Sequence, residues 1–232
     1  MCLVTIHASP ATDLFCRFDG ETIVFLVGTD APKRFIIHEG LVKPRSEFVR
    51  LALRGEWKEA QERTIPLPED DPNIFSVYQQ WLYVGLIQTR PNSAPFKTDD
   101  KFRTLVKAYI LGEKIMDSNF KDSIVDAIVE KLRLTHRFDT GLTDLVFENT
   151  LPASPLRRLW LDAYYNFGSP AWLDASLVGS PINAEFMVEF SRYQMEYRSS
   201  SGAFGPDAMF GSCTYHEHGL RPCHLQKKHN IG

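Results

Sequence analysis

Strand-type runs and helix-type periodicity are segregated along this chain, and that segregation limits its fold more than any single motif does. Three short runs rich in β-branched or aromatic residues fall between residues 22 and 67. Beyond residue 100 the apolar residues recur at helical spacing instead. A few strands followed by many helices predict an α+β fold: a small mixed sheet flanked by helices, with an α-helical C-terminal region behind it.

Within the first block, residues 23–27 form an apolar run that ends at Gly28, and residues 29–33 have turn composition. Residues 34–38 form a second run, so the pair predicts a hairpin. Ser46 is placed to cap a helix whose apolar face holds Phe48, Val49, Leu51, Ala52 and Leu53, with Gly55 as its stop. A third strand is expected at 63–67, and Pro66 places it at an edge or gives the proline a terminal position, because proline donates no ladder bond. Asp71-Pro72 opens a further helix carrying Ile74, Phe75, Tyr78, Leu82 and Tyr83, which Gly85 ends. The order from 22 to 85 is therefore ββα-βα.

Residues 89–100, with Pro91, Asn92, Ser93 and Pro95, read as a loop. One helical stripe follows in Leu105, Val106, Tyr109 and Ile110, and another in Phe120, Ile124, Val125, Ile128, Val129 and Leu132. Ser154-Pro155 signals a helix start ahead of Leu156, Leu159, Trp160 and Ala163, and Asn183 a cap for Phe186, Met187, Phe190, Tyr193 and Tyr197. The Ser- and Gly-rich stretch 198–211 reads as a flexible spacer.

Composition narrows the function classes. The chain has 26 basic and 29 acidic residues, a net charge of -3, 44% hydrophobic residues and 24% charged ones. These are ordinary globular values, and they disfavour a disordered tail or a broadly basic nucleic-acid binder. No apolar run nears the ~18 residues a membrane-spanning helix needs, so no membrane partner is expected. The first residues have no basic lead and too short an apolar stretch for a signal peptide. Four cysteines are too few for a disulfide scaffold, so an intracellular setting, cytoplasm or nucleus, is expected. No nucleophile elbow, phosphate-binding glycine loop or dinucleotide fingerprint is present. The carboxylate pairs Asp70-Asp71 and Asp99-Asp100 sit in loop contexts, and the chain is expected not to be an enzyme.

Several separated motifs then agree in order. They are residues 22–28; Phe35-Ile36-Ile37-His38 followed by Leu41, Val42 and Ser46; Phe48; and Gly55-Glu56-Trp57-Lys58-Glu59. Ile65-Pro66-Leu67-Pro68 before Asp71-Pro72, and Phe75 through Trp81-Leu82-Tyr83-Val84-Gly85, complete the series. Together they resemble a BTB/POZ domain. Residues 105–114 are similar to the helix that closes many such domains, and 154–162 resemble the C-terminal region of BTB proteins common in filamentous fungi, which implies a fungal origin. The implied organisation is an N-terminal segment at 1–18 with a short dimerisation helix, a BTB/POZ domain at 19–133, a helical region at 134–198, and a spacer with a Cys/His-rich tail at 199–232.

The resemblance implies a self-associating interaction module, a homodimer, acting as a substrate adaptor that links an unnamed client to a cullin-3 ubiquitin ligase. Cullin-binding members place an apolar residue, any residue, then glutamate after the helix that Ser46 opens, and Trp57-Lys58-Glu59 stands there. Trp57 would bury in a groove on the cullin while Glu59 orients it, with Phe48 and Leu51 on the preceding helix. Many members pair a strand aspartate with a basic residue in a pocket at the dimer groove. Thr22 replaces that aspartate here, leaving Arg45 as the groove candidate. His38, Trp81 and Tyr83 are expected to be structural, the imidazole bonding a loop backbone group and the aromatics packing.

The tail concentrates soft and borderline ligands. Two of the four cysteines and four of the seven histidines lie in its last twenty residues. Cys213, His216, His218 and Cys223, with His224 as a substitute, form a candidate structural zinc set, because tetrahedral zinc prefers thiolate and imidazole. An unstructured histidine-rich terminus is the other reading. A zinc-binding regulatory protein contacting nucleic acid through this tail, and a structural oligomer with no ligase link, remain as alternatives. The near-neutral charge counts against nucleic acid, and Lys227 and Lys228 add little.

Overall fold

Alternating burial along Thr22–Val27 (β1) makes this strand the centre of a three-stranded sheet of order β2-β1-β3. A computed structural model describes residues 20–55, 57–87, 101–135, 138–173, 182–199 and 213–217. The sequence expectations for 1–18, the loop at 89–100 and the spacer at 200–211 lie outside the described residues. The fold is α+β, and the chain divides into two compact units: Met1–Gln88 with Leu111–Phe120, and Thr89–Ile110 with Lys121–Gly232.

In the first unit Ile23, Phe25 and Val27 point into the core and are fully buried. Gly28, at φ +101°, turns the chain toward Lys33–His38 (β2), which pairs antiparallel with β1 from Val27↔Lys33 to Thr22↔His38. Thr64–Leu67 (β3) pairs parallel on the other side of β1. The amides of Val24 and Gly28 donate to the carbonyls of Arg63 and Leu67, so alternate residues of β3 face β1. Pro66 therefore directs its missing donor to the outer edge, where no ladder bond is lost, the first of the two positions expected for it. On the opposite edge, the Ile36 carbonyl accepts from Gln79 Nε2 (3.2 Å) and the His38 amide donates to Tyr83 Oη (3.3 Å). Helix side chains thus take bonds that a foreign strand would use.

Among the described residues this unit holds the helices Glu39–Val42 (α1), Glu47–Ala52 (α2), Lys58–Glu62 (α3) and Pro72–Val84 (α4). Ser46 caps α2 by accepting from the Val49 amide (3.0 Å), and its hydroxyl also donates to the Ile115 carbonyl (2.6 Å). Asp71 caps α4 through the Asn73 amide (2.8 Å), and Gly85 ends it at φ +73°. Asp70 is bound by Lys114 (2.7 Å), so this acidic pair does structural work on both residues. Rings fill the core: Phe25 and Phe35 lie 5.0 and 4.8 Å from Phe75, and Tyr78 and Trp81 lie 4.9 and 5.1 Å from Phe120.

Lys101–Lys114 (α5) and Ser118–Thr135 (α6) supply residues 111–120 to the first unit and the remainder to the second. The second unit continues with Thr143–Asn149 (α7, entered through a 3₁₀ turn at Thr140–Leu142), Pro155–Phe167 (α8) and Ala184–Ser199 (α9). Sequence periodicity did not assign α7, the five-residue α3 or the single-turn α1. Ser154 stands at the expected start of α8, yet its hydroxyl bonds Tyr109 Oη (3.1 Å) rather than capping. Asn183 does cap α9, accepting from the Phe186 amide (3.0 Å).

Arg157, only 3% exposed, ties this unit together. Its guanidinium donates to Thr150 Oγ1, to the carbonyls of Phe147 and Thr150, and to Glu185 (2.6 Å) and Glu189 (2.7 Å) of α9. Among the described residues, no helix is long and apolar enough to cross a membrane.

Candidate functional site

Helix α2 has only six residues, so one side of it can face the core. Val49 takes that place and is its buried residue. The apolar face expected there is split as a result: Phe48 is half-buried and Leu51 is 48% exposed. Phe48 and Leu51 are three apart and share a face. Gly55, in left-handed backbone at φ +82°, leads to Trp57, which is the N-cap of α3 and is 71% exposed. Glu59 lies in the first turn of α3, half-buried, where the helix dipole favours a negative charge. Val84 and Leu86, at the end of α4, are also more than half exposed.

Arg45 turns onto its own unit. Its guanidinium carbon lies 5.2 Å from the Trp81 ring centre, and Nη1 is 3.5 Å from the Leu82 carbonyl. Beneath it, Tyr78 Oη donates to Asp117 Oδ2 (3.0 Å), and Oδ1 accepts from the Phe120 amide (3.0 Å). Burial pushes the Asp117 carboxyl up, while the Phe120 and Tyr78 hydrogen bonds and the charge of Arg45 pull it back. Burial and the adjacent carboxylate push the Tyr78 hydroxyl well up. The charge of Arg45 thus acts on Asp117, just ahead of α6. Its sequence signal was a helix cap, an aspartate three residues ahead of Phe120.

His38, expected to bond a loop backbone group, has its Nδ1 2.9 Å from the side-chain Oη of Tyr83. Trp81 packs in the core, and Tyr83 is 36% exposed.

In the tail, Cys213–Tyr215 form a 3₁₀ turn docked in the second unit. Tyr215 is 1% exposed and donates to Asp162 Oδ2 (2.6 Å), whose other oxygen accepts from Tyr193. Asp162 is fully buried, and that burial raises its carboxyl against the Tyr215 hydrogen bond and the charge of Arg158. His216 Nε2 bonds Asp126 Oδ1 (2.8 Å), the Glu217 amide donates to Asp122 Oδ1 (2.7 Å), and the Glu217 carboxylate pairs with Lys121. Of the candidate zinc ligands, Cys213 is half-buried and His216 has one ring nitrogen engaged by Asp126; His218, Cys223 and the substitute His224 lie outside the described residues. Among the described residues, no three His, Cys, Asp or Glu side chains are grouped to hold a metal ion.

The sequence reading missed Asp162, Lys121 and Tyr215. A charged residue within the apolar stripe of α8 was the available signal, since such residues are buried only with partners. The partners themselves lie 31 and 53 residues away, beyond any local pattern. The chain matches no known protein family, and no curated protein is significantly similar to it.

Proposed function

We propose that the chain is a protein–protein interaction module of the BTB/POZ type, with its partner surface on α2 and α3 of the first unit. The observation that carries this reading is Trp57, a tryptophan 71% exposed at a helix start, with Leu51 48% exposed on the preceding helix. Large aromatics are the residues that most often anchor a partner, filling a pocket and excluding water around it. Glu59, two residues on, supplies a charge at the rim of the same short helix. The first unit keeps the expected sequence of two strands, helix, third strand and helix, with short helices at Glu39–Val42 and Lys58–Glu62 added between β2 and β3, and this supports the family resemblance. In its finer form the proposal is a self-associating adaptor whose α2–α3 surface takes a cullin-3 helix pair while another part of the chain holds a client. Catalysis then resides in other subunits.

The test is a cullin-3 pull-down with the unaltered chain and with Trp57→Ala/Glu59→Ala. Loss of capture, with an unchanged melting curve, supports the adaptor. Equal capture by both proteins removes these residues from the interface, and no capture by either removes the cullin. Light scattering tests self-association separately, and a clean monomer at micromolar concentration rejects it.

A further inference from the structure

Residues 215–217 are each met by a different side chain of the second unit. Tyr215 donates to Asp162 on α8, His216 bonds Asp126 on α6, and Glu217 pairs with Lys121 while its amide donates to Asp122. The receiving groups are held independently of the segment or share one helix: Tyr193 of α9 fixes the other oxygen of Asp162, and Asp122 and Asp126, four apart on α6, face the same way. Thirteen residues separate Cys213 from Ser199 at the end of α9. With that length of intervening chain, the seating of 215–217 is selected by side chains rather than forced by a short connection.

We propose that the surface formed by α6, α8 and α9 is a short-peptide recognition site for a tyrosine–histidine–glutamate segment, filled in this chain by its own residues 215–217. The proposal concerns the second unit and is independent of the α2–α3 reading.

Each position is read by its chemistry. The tyrosine ring is 1% exposed and its hydroxyl satisfies a fully buried carboxylate, so phenylalanine would fill the volume and leave that oxygen without this donor. The glutamate meets an ammonium whose side chain is 8% exposed, so a lysine in its place would set two cations together. The histidine side chain, 1% exposed, lies against a second carboxylate. A tethered occupant holds its site at an effective concentration on the order of millimolar, which excludes dilute competitors bearing the same segment. A partner with this segment therefore gains the site only when the chain's own copy is weakened.

The experiment uses the full chain carrying Tyr215→Ala and Glu217→Ala, and a fluorescent peptide of residues 212–218. Anisotropy should show saturable binding to the variant and at least tenfold weaker binding to the unaltered chain, whose site is filled. A peptide with phenylalanine for tyrosine should bind the variant at least tenfold more weakly, as should the native peptide when Asp162→Asn is added. Absence of saturable binding to a folded variant, or equal binding of the two peptides, overturns the proposal. So does failure of the variant to fold, because residues 213–217 would then be part of the core rather than a bound ligand. Amide exchange in the unaltered chain is a second readout: the amides of 215–217 should exchange at least tenfold faster than those of α8, and equal protection overturns the proposal as well.

Discussion

The two units bury polar groups in different proportions. In the first, Asp117 and Ser46 are the buried polar residues among those described, and the core is otherwise apolar and aromatic. In the second, Lys121, Asp122, Arg157 and Asp162 are all buried, along with Thr143, Thr150 and Ser154. The first unit is held by non-directional burial, which tolerates changes of shape better than loss of volume. The second depends on particular partners, and a buried charge that loses its partner is costly. The second unit therefore adds a set of particular polar pairs to an apolar and aromatic core of its own.

The largest effects test that contrast directly. Phe75→Ala, removing a fully buried ring that meets Phe25 and Phe35, should cost about 3–5 kcal/mol in urea unfolding. Arg157→Ala should cost about 3 kcal/mol, because the Phe147 and Thr150 carbonyls lose their donor together with two glutamates. Arg157→Met, which keeps the volume, should recover little of that loss; full recovery would show that packing, not partnering, holds the second unit.

Ser46→Ala comes next, at about 1–2 kcal/mol, since it removes both the α2 cap and the bond to Ile115. The pH dependence of the two buried carboxylates sharpens the comparison further. Asp117 and Asp162 are both raised above an ordinary value of 3.8, chiefly by burial. The native state then holds each proton more tightly than the unfolded chain does, so stability falls as pH rises from near 3.8 through the raised native value. Asp117→Asn and Asp162→Asn should each flatten the urea midpoint measured from about pH 4 to pH 7. Flattening by Asp117→Asn alone would mean that Asp162 is hydrated in solution and that the Tyr215 contact is open.

The smallest effect on stability belongs to Trp57→Ala, within about 0.5 kcal/mol, because the side chain is mostly solvated already. A larger loss in urea unfolding would place Trp57 in the packing of its own unit and remove the observation on which the partner surface rests.

Much of the first unit was legible because its signals are local. The apolar run of β1, proline in β3, Asp71-Pro72 before α4 and glycine after it each act within a few residues. The expected apolar face of α2 failed for a geometric reason: a helix of six residues presents only a narrow stripe to a core, and Val49 fills it. That failure is also what leaves Leu51 exposed. The single-turn α1, the five-residue α3 and the short α7 carry too few residues for periodicity to register.

By itself the sequence determined the three strands, the helix starts at Ser46, Asp71 and Asn183, and an edge or terminal place for Pro66, because each depends on backbone chemistry close in the chain. Only the tertiary structure decided which charged groups are buried and with what. Arg45 faces Trp81 near Asp117, and Asp162 receives Tyr193 and Tyr215 from 31 and 53 residues away. The same distance separates the two readings of the tail. Counting cysteines and histidines drew attention to a metal; the folded chain adds that Tyr215, His216 and Glu217 meet carboxylates and a lysine that no local pattern connects to them.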